Sequence, residues 1–203
     1  QPRRSEIVHE VEEMEVEEEI PDYPVHLFLT KEGYFKKVTP QSLRMSSEHK
    51  LKEGDAVAQA IEATNNTDLL FFTDRCQVYK AKASDFDDTR ISTLGDYIPA
   101  KLGMDEGENV VYLAATKEYA GFMLFVFENG KAAKVSFEKY ATKTNRKKLL
   151  KAYSDKSPLA GILYLPQDCE VLLKSSSRRM LLVHTGAVSA KATRDTIGVA
   201  VMT

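Results

Sequence analysis

A fourteen-residue pattern occurs four times along the chain, and this repetition constrains the fold more than any other feature. VHLFLTKEGYFKKV spans 25–38, LLFFTDRCQVYKAK spans 69–82, MLFVFENGKAAKVS spans 123–136, and MLLVHTGAVSAKAT spans 180–193. Each places an apolar, β-favouring run before a polar corner, then a second run with a lysine near its end. The corners EG, ENG and TG hold the glycine that accepts the positive φ of a tight turn. The second copy turns at Asp74-Arg75-Cys76 without one. Lys37, Lys80, Lys134 and Lys191 occupy equivalent places, separated by 43, 54 and 57 residues.

A further strand precedes three of the copies: EGDAVAQAIEAT (53–64), EGENVVYLAAT (106–116) and PQDCEVLLKSS (166–176) each run from an acidic turn into β-favouring sequence. A unit of this kind supplies three to four strands, the size of a propeller blade. Such units cannot bury both faces alone and must stack side by side around an axis. The expectation is therefore an all-β, propeller-like fold with about four blades. DTIGVAVMT at the end reads as a strand with no hairpin after it, which suggests an incomplete further blade of a longer array. The best helix signal, RKKLLKAY at 146–153 with Asn145 as N-cap, is short enough to be a loop turn.

Charge is unevenly distributed. The chain of 203 residues carries a net −2, yet residues 1–24 hold Arg3 and Arg4 against nine acids. The remaining 26 basic and 21 acidic residues leave a basic body behind an acidic leader. Such a split suggests a polyanion partner, with the leader as either a built-in competitor or a solvated linker. No apolar run approaches the length that spans a bilayer, and QPRRSEIVHE lacks the apolar core of a signal peptide. Cys76 and Cys169 sit in unrelated contexts, which fits a reduced compartment. Together these features suggest a soluble protein of the cytoplasm.

Catalytic chemistry has little to stand on. His9, His26, His49 and His184 lie far apart, without metal-ligand spacing, so no metal site is expected. The GKA at 130–132 is not the end of a phosphate-binding loop, because Phe125 and Ala132 stand where glycine and a hydroxyl residue are required. Asp87-Asp88 reads as solvated loop. These absences point to a binding module rather than an enzyme.

At this point the residues match a known family. Gly33-Tyr34-Phe35-Lys36-Lys37, LLFFTDRCQVYK, the 88–110 segment DTRISTLGDYIPAKLGMDEGENV and RRMLLVHTGAVSAKATRDTIGV resemble the C-terminal domain of the bacterial DNA gyrase GyrA-type polypeptide and its topoisomerase IV counterpart. QPRRSEI is similar to the D-P-R-R-T-E-I that closes the catalytic core of those type IIA topoisomerases. The resemblance implies a β-pinwheel, a disc of blades that exchange strands, with duplex DNA bound around its outer rim. It also implies an acidic leader or linker from the catalytic core over 1–24 and the pinwheel over 25–203. Catalysis, ATP and Mg would reside outside this region, in the ATPase B subunit or elsewhere in the A subunit, with the bacterial nucleoid as the setting. One departure bears on mechanism. Gyrase proper carries Q-R-R-G-G-K-G in its first blade, whereas the loop here is RMSSEHKLKEGD (44–55), which puts DNA wrapping in doubt and leans toward the topoisomerase IV branch.

On that resemblance the first-rank phosphate contacts are Lys36, Lys37, Lys80, Lys82, Lys134 and Lys191, one cluster per hairpin. Alternation in YKAK puts Lys80 and Lys82 on one face, with Tyr79 and Ala81 toward the core. Lys143, Arg146, Lys147 and Lys148 in one loop, and Arg178 and Arg179 in another, extend the track. Two alternatives stand beside it. A terminal lysine also protects a sheet edge from pairing with other chains, and a protein-binding propeller would need no DNA, although the tryptophan of the common propeller signatures is missing from this chain.

Overall fold

The computed structural model describes residues 19–143 and 146–202. In chain order, β1 (Pro24–Thr30) and β2 (Tyr34–Val38) form the first hairpin, followed by α1 (Pro40–Met45) and β3 (Val57–Thr64). The second hairpin is β4 (Asp68–Thr73) and β5 (Val78–Lys82), trailed by β6 (Asp88–Thr89), β7 (Asp96–Tyr97), α2 (Ile98–Lys101) and β8 (Val110–Thr116). The third is β9 (Phe122–Phe127) and β10 (Lys131–Ser136), trailed by β11 (Lys148–Leu149) and β12 (Leu159–Leu165). The fourth is β13 (Glu170–Lys174) and β14 (Met180–His184), trailed by β15 (Ala190–Lys191) and β16 (Val199–Ala200).

Pairing shows how the units interlock. β3 lies along β1, while β6 and β7 lie along β2. β8 lies along β4 and β11 along β5. β12 lies along β9, with β15 and β16 along β10. Each of the first three hairpins is thus flanked on one side by the strand that leads into the next hairpin and on the other by strands that follow it. The architecture is the strand-exchanged β-pinwheel, and each blade is completed by chain belonging to its successor.

This exchange explains why the apolar runs are buried on both faces. In β4, Leu69 and Phe71 pack back against Val25, Leu27 and Phe35 of the first blade. Leu70 and Phe72 pack forward against Met123, Phe125 and Val135 of the third. Side chains alternate across a strand, so a continuous apolar run feeds two inter-blade cores at once. Full burial of each such side chain stabilises the fold by about 1.5–3 kcal/mol.

The second turn works without glycine because Cys76 itself takes a positive φ of 56°. The fourth copy differs from the expected register. Its hairpin is 170–184 and not 180–193, and its leader strand is β12 rather than 166–176. The turn is made by Ser175–Arg179: Arg178 takes φ 64°, and the Ser175 hydroxyl accepts from the Arg179 N–H at 3.1 Å. The Thr185-Gly186 pair that suggested a hairpin corner lies instead in a 3-10 turn capped by His184. Residues 148–149 of the expected helical stretch are strand β11, and its N-cap Asn145 lies outside the described residues.

Candidate nucleic-acid interface

The lysines of the repeat are mostly inside. Lys36, Lys37 and Lys134 are 1%, 3% and 4% exposed. The Lys36 ammonium donates to the Lys50 and Ile91 carbonyls at 2.8 and 2.9 Å, and burial pushes it below the usual lysine range. Lys37 donates to Asn65 Oδ1 at 2.6 Å and faces Asp88 at 3.3 Å. Lys134 donates to Asp168 Oδ1 at 2.9 Å and to the Thr185 carbonyl at 3.0 Å. Lys80, half-buried, donates to the Tyr140 carbonyl at 3.1 Å and Thr142 Oγ1 at 3.0 Å, with its Nζ 4.9 Å from the centre of the Tyr119 ring. Burial depresses it as well.

These contacts correct the expected role of Lys36, Lys37 and Lys134. An enclosed ammonium whose donors are already used has nothing to offer a phosphate. The reason is the strand exchange: the second strand of each hairpin is not an edge, because a later segment covers it. Lys37, Lys80 and Lys134 pair across their hairpins with Leu27, Leu70 and Leu124, and the structural equivalent in the fourth hairpin is Leu182, opposite Leu172. Lys191 is therefore not the fourth member of the series. It is an exposed residue of β15 on the third blade, beside Val135.

Each buried lysine of the series reaches the segments that bracket the next hairpin. For Lys37 these are Asn65 before it and Asp88 after it; for Lys134, Asp168 and Thr185. Lys80 holds Tyr140 and Thr142 after the third hairpin and packs on Tyr119 before it, whose hydroxyl donates to Asp68 at 2.8 Å. The lysines act as clasps between blades.

The free positive charge gathers elsewhere. A cleft of about 680 Å³ beside β5 is lined by Lys80, Lys82, Lys143, Arg146 and Lys147, with Ile20 at its margin. Lys82, Lys143, Arg146 and Lys147 are exposed. Asp85 and Asp68 also line the cleft, but Asp85 accepts the Lys82 backbone N–H at 2.9 Å and Asp68 accepts from Tyr119. Lys148, at the end of the same segment, is bonded to Asp105 at 3.2 Å. Arg178 and Arg179 lie apart, exposed on the turn of the fourth hairpin. The structure thus brings together Lys82, Lys143, Arg146 and Lys147 and separates them from Lys191, Arg178 and Arg179.

The blades are not equally charged on these trailing segments. After the second hairpin come Asp85, Asp87 and Asp88 against Arg90; after the third come Lys139, Lys143, Arg146, Lys147 and Lys148 against Glu138. After the fourth come Lys191 and Arg194 against Asp195, with Arg194 held to the Lys139 and Leu150 carbonyls at 3.1 and 3.2 Å. The 44–55 loop places Arg44, Lys50 and Lys52 at the surface, while His49 packs edge-on to Phe28 at 4.7 Å. Sequence reasoning missed Tyr119, Thr142 and Arg194. The run KTNRKK marked the right loop, but nothing local marked the residues that hold it.

No family model matches the chain. It is 26% identical over 194 residues to the A subunit of DNA topoisomerase 4 from Staphylococcus epidermidis, covering 92% of this chain and 24% of that protein. It is 26% identical over 153 residues to the A subunit of DNA gyrase from Thermotoga maritima, covering 72% of this chain and 19% of that one. The chain thus spans about a quarter or less of the length of these curated relatives. Among solved structures, the C-terminal domain of DNA topoisomerase IV superposes with a TM-score of 0.73 at 22% identity, covering 87% of this chain and 56% of that one. The C-terminal domain of DNA gyrase A superposes with a TM-score of 0.63 at 20% identity, covering 91% and 64%. The strand-exchanged blades and the extent of these matches lead to one conclusion: the homologues of this chain are the A subunits of DNA gyrase and topoisomerase IV, and its fold is that of their C-terminal domains.

Proposed function

We propose that this region binds duplex DNA for a bacterial type IIA topoisomerase, without taking part in cleavage, and steers the DNA segments on which the enzyme acts. The observation that carries the reading is the cleft where Lys82, Lys143, Arg146 and Lys147 converge with exposed side chains. Cations at phosphate spacing gain affinity by releasing counterions, and contacts of this kind position the duplex without reading its sequence. On this reading the chain works at the nucleoid beside the ATPase B subunit, the catalytic remainder of its own polypeptide being its other neighbour. ATP and Mg act in those other parts.

Charge restricted to one trailing segment supports a local grip or an orienting role more than a continuous wrap. The acidic segment around Asp85 and Asp87 interrupts any track that would run on past the second blade. Titrating a labelled duplex of arbitrary sequence at several salt concentrations tests the binding. Affinity should fall steeply with salt, and the slope should flatten by about 0.9 per phosphate released when the four cations become glutamine in turn. Binding that ignores salt or these residues would refute it. Ligating nicked circular DNA in the presence of the chain reads topology directly, and the expected linking number is unchanged.

A further inference from the structure

We infer that Lys80 is a positioning residue that ties both ends of the 140–147 segment to the second blade and so presents Lys143, Arg146 and Lys147 as a set. Its ammonium holds the start of the segment through the Tyr140 carbonyl at 3.1 Å and Thr142 Oγ1 at 3.0 Å. Its backbone N–H holds the end through the Lys147 carbonyl at 2.7 Å. The Tyr119 ring closes another side of the ammonium, and Tyr119 is itself fixed on Asp68. A single residue therefore closes the loop twice, once through its side chain and once through its main chain.

The physical benefit is preorganisation. Long cationic side chains on a loose loop must be ordered when they bind, whereas a loop pinned at both ends has part of that ordering already in place. Lysine suits the position because its ammonium carries several donors on a stem long enough to cross between blades. The equivalent clasps in the first and third blades are chemically alike, but Lys37 holds the acidic Asp88 segment and Lys134 holds Thr185. Among the described residues, it is the segment clasped by the second blade that carries a cluster of exposed cations.

The inference takes its ligand, duplex DNA, from the function proposed above. In the full 203-residue chain, Lys80→Met keeps the aliphatic stem and removes the ammonium. The expected result is about a tenfold loss of duplex affinity at an unchanged salt slope, with faster amide hydrogen exchange at residues 141–143 and 146–148. Thr142→Val, which removes one acceptor and leaves Lys80 intact, should act in the same direction with a smaller effect, and it serves if Lys80→Met fails to fold. Lys134→Met removes an equivalent clasp from the third blade and should leave duplex affinity within about twofold. A slope flattened by about 0.9 with loop protection intact would make Lys80 a phosphate contact and overturn the inference. Unchanged affinity, or a loss of affinity without faster exchange in the loop, would overturn it too. If the unmodified chain binds no duplex, the DNA reading fails, and the exchange comparison still decides whether Lys80 holds the loop.

Discussion

The segments that trail the second and third hairpins occupy the same place in successive blades, yet one is acidic and the other basic. Lys37 clasps the first through Asp88, and Lys80 clasps the second through Tyr140 and Thr142. The backbone solution is shared, because β6 and β11 each add to the second strand of the preceding hairpin. The charge carried on it is not. The contrast teaches that scaffold and ligand contact are separable here: a buried lysine maintains the blade, and exposed residues on the clasped segment decide what the blade can bind.

The most damaging change to that comparison is to give the basic segment the acidic segment's charge. Lys143→Glu, Arg146→Glu and Lys147→Glu together should weaken duplex binding by about a hundredfold or more at low salt. The melting temperature should hardly move, since all three residues are exposed. A matching loss of stability in thermal melts would show that the two roles are not separable.

The converse change removes a clasp where no cation depends on it. Lys37→Met deprives Asn65 and Asp88 of its ammonium and should cost about 1–3 kcal/mol in denaturant unfolding. Duplex affinity should remain within about twofold for this variant, because Lys37 contacts neither the cleft nor its loop. An equal fall in affinity would make every clasp part of the binding apparatus.

Acid should loosen the clasp of the third blade by a route the second does not share. Hydrogen bonds from Lys134 and then Thr185 hold the Asp168 carboxyl below its ordinary range. The bond from Lys117 likewise brings Asp22 down to about 2. Each depressed carboxyl contributes stability that is fully present above its unfolded value near 4 and is lost as pH falls through the folded value. Stability should therefore decline below about pH 4, and Asp168→Asn should flatten part of that decline in melts recorded from pH 6 to pH 2. The Lys80 ammonium donates to a carbonyl and a hydroxyl, so its clasp should respond less.

The smallest expected effect concerns the acidic leader. Its residues up to 18 lie outside the described part of the chain, but Ile20 lines the basic cleft and Asp22 is fixed to Lys117 at 2.8 Å. Removing residues 1–18 takes away seven of the leader's acids and should raise duplex affinity a few-fold at low salt, with the gain vanishing at high salt. Equal affinity for the long and short chains at low salt would leave the leader a plain linker.

The first three hairpins were legible in sequence because apolar runs around a turn are local signals, and the glycine-free corner at Asp74–Cys76 still turned where expected. The fourth was shifted because a Thr-Gly pair imitates a hairpin corner, whereas the true turn relies on Ser175 and on Arg178 in a conformation its sequence does not advertise. Two-residue strands such as β6, β11 and β15 have no periodicity to read. Their invisibility hid the burial of Lys36, Lys37 and Lys134, since a strand cannot be recognised as covered until its distant neighbour is known. Lys82, Lys143, Arg146 and Lys147 were named from charge alone. Their convergence depends on bonds from Lys80 to residues 60 and 62 positions away, a spacing that no local pattern encodes.

Strand exchange also sets a timetable for synthesis. The first hairpin is finished by Lys36 and Lys37, but its flanking strands arrive only with β3 and then with β6 and β7, which end at Tyr97. The second hairpin must emerge before the first blade can be completed, and the third before the second. A ribosome making this protein from its N-terminus always carries one blade with an open side, and that side is closed by the next part of the chain to appear.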